Sequence, residues 1–228
     1  MPTERPNRPR PRTHATVAFA RSLVLALALL LPLSARTAGA QLIGALDASV
    51  GLGSGAQRLA VSAWRPVFNV LDRVVLSAGL RLTSYTGDAG TYSNRGTVSS
   101  ALTPTLSLAP QVYGINLAVA ADVTVFGDFG VGFNLDLIGA ATGANRVNGT
   151  LLAKPQSGSL FAGGSPDKGA LNSETYLSWH ALPTLTVRAG TSHYVTNYDV
   201  TDPIAAGSPS ARYQKFVTVP FVALSFKF

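Results

Sequence analysis

Cysteine is absent from the 228 residues. That excludes disulfides, thiolate metal sites, a cysteine nucleophile and a lipid-modified N-terminal cysteine. Charge is scarce: 13% of residues are Asp, Glu, Lys or Arg, against about a quarter in an ordinary soluble domain. The formal charge of +7 overstates the basic surface. Six arginines (Arg5, Arg8, Arg10, Arg12, Arg21, Arg36) and Glu4 lie in the first forty residues, which leaves 12 basic and 10 acidic groups for the rest. No basic patch remains to hold phosphates, so nucleic acid is excluded as a partner. Beyond residue 40 the histidines are His180 and His193, too few for a catalytic zinc site without cysteines or clustered carboxylates. No stretch there approaches the about 18 apolar residues of a helical membrane span. No repeat of the solenoid kind is present.

What is present begins with an address. A Pro- and Arg-rich start leads into the uncharged apolar run SLVLALALLLPLSA at 22–35, and Ala38-Gly39-Ala40 supplies small residues for a cleavage site. Basic start, short apolar run and A-x-A end predict a secretory signal peptide over 1–40 and a mature chain over 41–228.

The mature chain alternates in steps of two. In Arg73–Tyr85, Val74, Leu76, Ala78, Leu80 and Leu82 oppose Ser77, Gly79, Arg81 and Thr83. Tyr113–Val125 sets Ile115, Leu117, Val119, Val123 and Val125 against Gly114, Asn116, Asp122 and Thr124, and Phe129–Gly139 sets Phe129, Val131, Phe133, Leu135 and Leu137 against Gly130, Gly132, Asn134 and Asp136. This is strand periodicity. Weaker alternation over Leu42–Leu52, Arg58–Trp64, Asn172–Ala181, Leu185–Tyr198 and Tyr213–Phe228 brings the expected strands to eight. Connections at Pro66–Asp72, Phe126–Asp128 and Leu182–Thr184 are short. Those at Gly87–Pro110, Thr142–Ala170 and Asp199–Arg212 are long and rich in Gly, Ser, Thr, Asn and Pro, and Gly53–Gln57 is a tight turn.

Short turns at one end and long loops at the other predict an all-β, antiparallel, up-and-down eight-stranded transmembrane barrel. The charges Asp47, Arg81, Asp122, Asp136, Glu174, Arg188 and Lys227 fall in the polar column, and the apolar column has none. A membrane barrel turns that charged column inward. Aromatics gather at strand ends: Trp64, Phe126, Phe129, Trp179 and Phe228 at the short-turn side, Tyr85, Tyr113, Tyr194, Tyr198 and Tyr213 at the loop side. They are expected to form two girdles at the membrane surfaces, with Trp64, Trp179, Tyr85 and Tyr113 as members.

The final VPFVALSFKF, with Val222, Leu224, Phe226 and Phe228 at alternate positions, resembles the C-terminal sorting signal of bacterial outer-membrane barrels. With the leader and the eight strands, the chain resembles the small outer-membrane barrels of the OmpA/OmpX type. The resemblance implies residence in a Gram-negative outer membrane, contact with its lipid, and assembly by periplasmic chaperones and the barrel-assembly machinery. It carries over no catalytic motif and no cofactor. Pro220 inside the last strand departs from the ideal pattern, tolerable near a strand start or a bulge.

Three functions compete. The lumen charges are read as a structural network, because a barrel of eight strands is just wide enough for side chains to fill it and buried charges must be paired. Counting from the turns, Arg81 matches Asp136 in height and Arg188 matches Asp122. On that reading the protein is non-enzymatic, structural or surface-binding through its long loops. The alternative is a narrow channel or transporter, disfavoured because water-filled porins use about 16–18 strands. An envelope lipid-modifying enzyme comes last. Outer-membrane lipid hydrolases pair an outward His near the loop end with a Ser two residues on, but Val195 stands there after His193, and Ser192 points to the other face. Gly51–Ala56 fits G-x-G-x-x-A, but a strand follows it rather than a helix, so it reads as a hairpin turn.

Overall fold

The computed structural model describes residues 43–53, 55–71, 73–94, 105–149, 151–162, 165–201 and 211–228. The expected signal peptide lies outside the described residues. Among them are eight long strands: β1 (Ala45–Gly53), β2 (Ala56–Val70), β3 (Val74–Gly87), β4 (Gln111–Phe126), β5 (Phe129–Gly143), β6 (Ala170–Leu182), β7 (Leu185–Thr201) and β8 (Ala211–Lys227). Each pairs antiparallel with its chain neighbour. The ladder from Ala45↔Lys227 to Gly51↔Phe221 joins β8 back to β1 and closes the barrel. Closure leaves none of the eight long strands as a sheet edge, as a sheet in lipid requires.

The two faces sort by polarity. Leu80, Leu82, Ile115, Leu117, Val131, Phe133 and Leu177 point outward and are exposed, Leu177 at 69%. Arg58, Arg81, Asp136 and Glu174 point inward and are buried. An apolar belt outside and paired charges inside is the inverse of a water-soluble barrel and the arrangement of a small outer-membrane barrel.

Several expectations shift. β2 runs to Val70, well past the expected end at Trp64. Pro66 lies within it, opposite Ser77 and beside a bulge, not in a turn. The β1–β2 ladder has already stopped at Ala45↔Trp64, so the proline forfeits no bond on that side. Pro220 obeys the same logic: it opposes Thr191, one residue past the end of the β8–β1 ladder. In β5 a bulge interrupts the alternation, because Leu117 pairs with Ile138 while Ala118 pairs with Asp136. Leu137 is the extra residue, and Ile138 takes the outward place expected of it.

The long connections also carry strands. Gly90–Asn94 pairs with Thr105–Leu108, Arg146–Asn148 with Leu151–Pro155, and Gly158–Ala162 with Ser165–Lys168. Several prolong the wall: Gly90–Asn94 joins β8, Leu151–Pro155 joins β7, and Gly158–Ala162 joins β5. The Gly51–Ala56 segment is the β1–β2 hairpin, with Gly55 at φ +71°, a left-handed conformation that suits glycine.

Candidate functional site: the lumen

The inward residues stack in layers along the lumen. Nearest the short turns, the Asp47 carboxylate accepts from Trp64 Nε1 and from Arg188 Nη2, all through Oδ2. The Arg188 guanidinium lies over the Tyr176 ring, 4.6 Å from its centroid, a cation–π arrangement. The Tyr176 hydroxyl donates to Asp122 Oδ1 at 2.8 Å. Gly132 makes room for that tyrosine, since a Cβ there would sit 2.3 Å from the ring.

The middle layer holds two guanidiniums and two carboxylates. Arg58 Nη2 approaches Glu174 Oε1 at 2.6 Å, an ion pair by distance whose angle is not that of a hydrogen bond. Arg81 Nη1 donates to Asp136 Oδ1 at 3.0 Å, and its Nη2 lies 3.6 Å from Glu174 Oε2. Amides supply the remaining donors. Asn134 Nδ2 reaches Glu174 Oε2 at 2.7 Å, Asn116 Nδ2 reaches Asp136 Oδ2 at 2.9 Å, and the Asn172 N–H reaches the same oxygen at 3.0 Å. The Asn172 amide orientation that suits its neighbours turns its oxygen to Arg81 Nη1 at 2.8 Å and its nitrogen to Ser192 Oγ at 2.7 Å. Such mutual compensation is what a buried charge cluster needs, because each ion loses several kcal/mol of hydration, of order, on burial.

Toward the loops, aromatics fill the lumen. Tyr85 stacks on Tyr194 with centroids 4.5 Å apart, Tyr92 meets Tyr198 edge-on at 5.5 Å, and Tyr213 is buried beside them. The Tyr92 hydroxyl and Thr196 Oγ1 are 3.0 Å apart.

The structure brings Arg81, Asp136 and Glu174 together but, among the described residues, forms no ion pair between Arg188 and Asp122. Counting heights from the turns ignores strand stagger, and Arg188 turns to Asp47 instead. Arg58 belongs to the network and was missed, because the alternation of its short apolar segment was ambiguous. Five expected girdle members are corrected. Trp64 and Tyr85 face the lumen, as do Tyr194, Tyr198 and Tyr213, while Trp179 and Tyr113 lie on the outer surface. Val222, Leu224 and Phe226 form the outward column at the end of β8, with Ala223 and Ser225 buried between them, and Phe228 follows the strand with its side chain exposed.

His193 lies on the outer face, its ring stacked on Phe216 with centroids 5.6 Å apart and its Nδ1 2.8 Å from Thr218 Oγ1. Ser192 is buried on the lumen side, so the two side chains cannot act as base and nucleophile on one substrate. Among the described residues no three His, Asp or Glu side chains gather to hold a metal ion.

No family model and no curated protein matches the sequence. Among solved structures, the chain is similar to the outer membrane protease OmpT from Escherichia coli, with 12% identity and a TM-score of 0.36. The match covers 76% of this chain and 64% of that one. A likeness of this degree bears on no feature of the lumen.

Proposed function

We propose that the protein is an integral outer-membrane barrel with a filled lumen, non-enzymatic, serving as a structural element or a surface binder through its long connections. One observation carries the reading: Arg58, Arg81, Asp136 and Glu174 bridge the middle of the barrel, all buried, while the outer wall is apolar. A wall that faces lipid and a lumen occupied by paired side chains suit a scaffold better than a pore. The same occupancy speaks against the narrow channel. Export by the 1–40 leader and assembly through chaperones and the barrel-assembly machinery belong to the proposal. Refolded protein in planar bilayers is expected to give no sustained conductance, and unboiled samples to migrate differently from boiled ones on a denaturing gel. Steady ion conductance would refute the filled lumen, and recovery as a soluble periplasmic protein would refute the membrane assignment.

A further inference from the structure

We infer that the wall above the β1–β2 hairpin holds one membrane lipid, a hydroxyl-bearing glycerolipid. Its head enters a gap in the sheet while its acyl chain descends the outer face of β8. The closing ladder between β8 and β1 stops at Gly51↔Phe221. On that side β8 next finds a strand at Gln214↔Ser93. From Lys215 to Pro220 the peptide groups facing this side therefore have no strand partner among the described residues. The same residues pair without interruption with β7 on the other side. An unpaired strand edge presents a row of N–H and C=O groups, and hydrocarbon offers them no partner. Pro220, where the ladder ends, brings no N–H to that edge, but the residues above it are not prolines.

The edge borders a gap of about 300 Å³. Its lining includes the lumen-facing Ala56 and Tyr85 together with the outward Phe216 and Thr218. The gap therefore lies within the wall itself rather than on one face of it. Phe216 stacks on His193, and Thr218 Oγ1 lies 2.8 Å from His193 Nδ1. Both rim side chains thus lean on β7, the side away from the gap, and neither closes it. Charge selects nothing here, since Lys215 and Asp88 line the gap with one charge of each sign. The peptide edge selects instead for a head with both donors and acceptors, which hydroxyls supply. The volume is at the small end for a ligand site, which favours a glycerol head over a larger one. Below the gap the outer face is apolar and continuous, with Pro220 and Val222 of β8 exposed beside Leu52 of β1. An acyl chain laid there continues the path of the head.

The inference rests on the membrane assignment, whose failure shows beforehand as recovery in the soluble fraction. The test is native mass spectrometry of the barrel refolded in lauryldimethylamine oxide, a detergent without hydroxyls, with 1-monomyristoylglycerol as the probe. One retained molecule per chain is expected. Methyl myristate, with the same acyl chain and no hydroxyl, should be retained at least about tenfold less. Monomyristoylglycerol carrying a diazirine on its chain should label Leu52, Pro220 and Val222 in preference to Leu80, Ile115 and Phe133, which are exposed elsewhere on the belt. Thr218→Trp places a ring over the mouth from an exposed position. It should cut retention by about tenfold or more while the variant keeps its heat-modifiable migration. Equal retention of the two probes overturns the proposal. So does labelling spread evenly over the belt, or parent-like retention in Thr218→Trp.

Discussion

Arg58 of β2 and Glu174 of β6 meet at 2.6 Å across the barrel, with side chains 0% and 1% exposed. The two strands stand on opposite walls, so the pair ties the sheet to itself through its own interior. Glu174 has a second cation in Arg81 at 3.6 Å, and Arg81 has its own partner in Asp136. The cluster is balanced, two charges of each sign.

Removing one member should therefore cost more than removing a pair. Arg58→Ala is expected to destabilise the barrel by about 3–5 kcal/mol, the range for stranding a buried charge. Arg58→Met combined with Glu174→Gln should recover most of that, since Arg81 and Asp136 still satisfy each other. Urea unfolding in lipid vesicles measures both. A single variant as stable as the parent would mean that water reaches the cluster.

The two tryptophans report on the two faces. Trp179 is 48% exposed on the outer wall and Trp64 is 5% exposed in the lumen. Brominated lipid should strongly quench the fluorescence of Trp64→Phe, which retains Trp179, and should barely quench Trp179→Phe. Equal quenching of the two variants would contradict the inward placement of Trp64.

Gly132→Ala should disturb the lumen from its wall. The added methyl meets the Tyr176 ring at 2.3 Å, so the ring must move and loosen its bond to Asp122. Overpacking of this kind costs about 1–3 kcal/mol. Gly158→Ala is the control, with nothing within 4 Å of the new Cβ, and should stay within about 0.5 kcal/mol of the parent. Matching stabilities for the two variants would show that Tyr176 yields freely.

Much of this was legible from alternation alone, because a period of two fixes the face of every residue once one is known. Arg81, Asp136 and Glu174 sit inside for that reason. The same rule applied strictly would have placed the aromatics. Tyr85 shares parity with Arg81, Tyr194 and Tyr198 share it with Arg188, and Trp64 shares it with Ser62, all inward. Tyr113 shares parity with Ile115 and Leu117, and it alone of the five expected girdle tyrosines lies outside. Position near a strand end says how deep a residue sits and nothing of which way it points. The extent of β2 was hidden because Pro66 resembles a turn residue, and only the short reach of β1 makes it harmless. The bulge at Leu137 leaves no mark in alternation.

On the proposed function, the last residues should separate assembly from stability. Phe228 is 46% exposed on the outer surface, and its N–H donates to the Gly44 carbonyl at 3.1 Å. The closing ladder does not need that bond, for it runs from Lys227 through Phe221 against Ala45–Gly51. Deleting Phe228 therefore removes one terminal hydrogen bond, worth about 0.5–1.5 kcal/mol net, and one aromatic at the interface. The finished barrel should survive, refolding in detergent with its shifted gel mobility intact. Assembly in cells should not, because the alternating column Val222, Leu224, Phe226 and Phe228 then lacks its terminal aromatic, the end of the resembled sorting signal. The truncated chain is expected to accumulate in the periplasm or be degraded there, measured by fractionation and immunoblotting against the parent. Parent-like levels in the outer membrane would mean that the machinery does not read this end. Failure to refold in detergent would mean instead that the last residue holds the seam between β8 and β1.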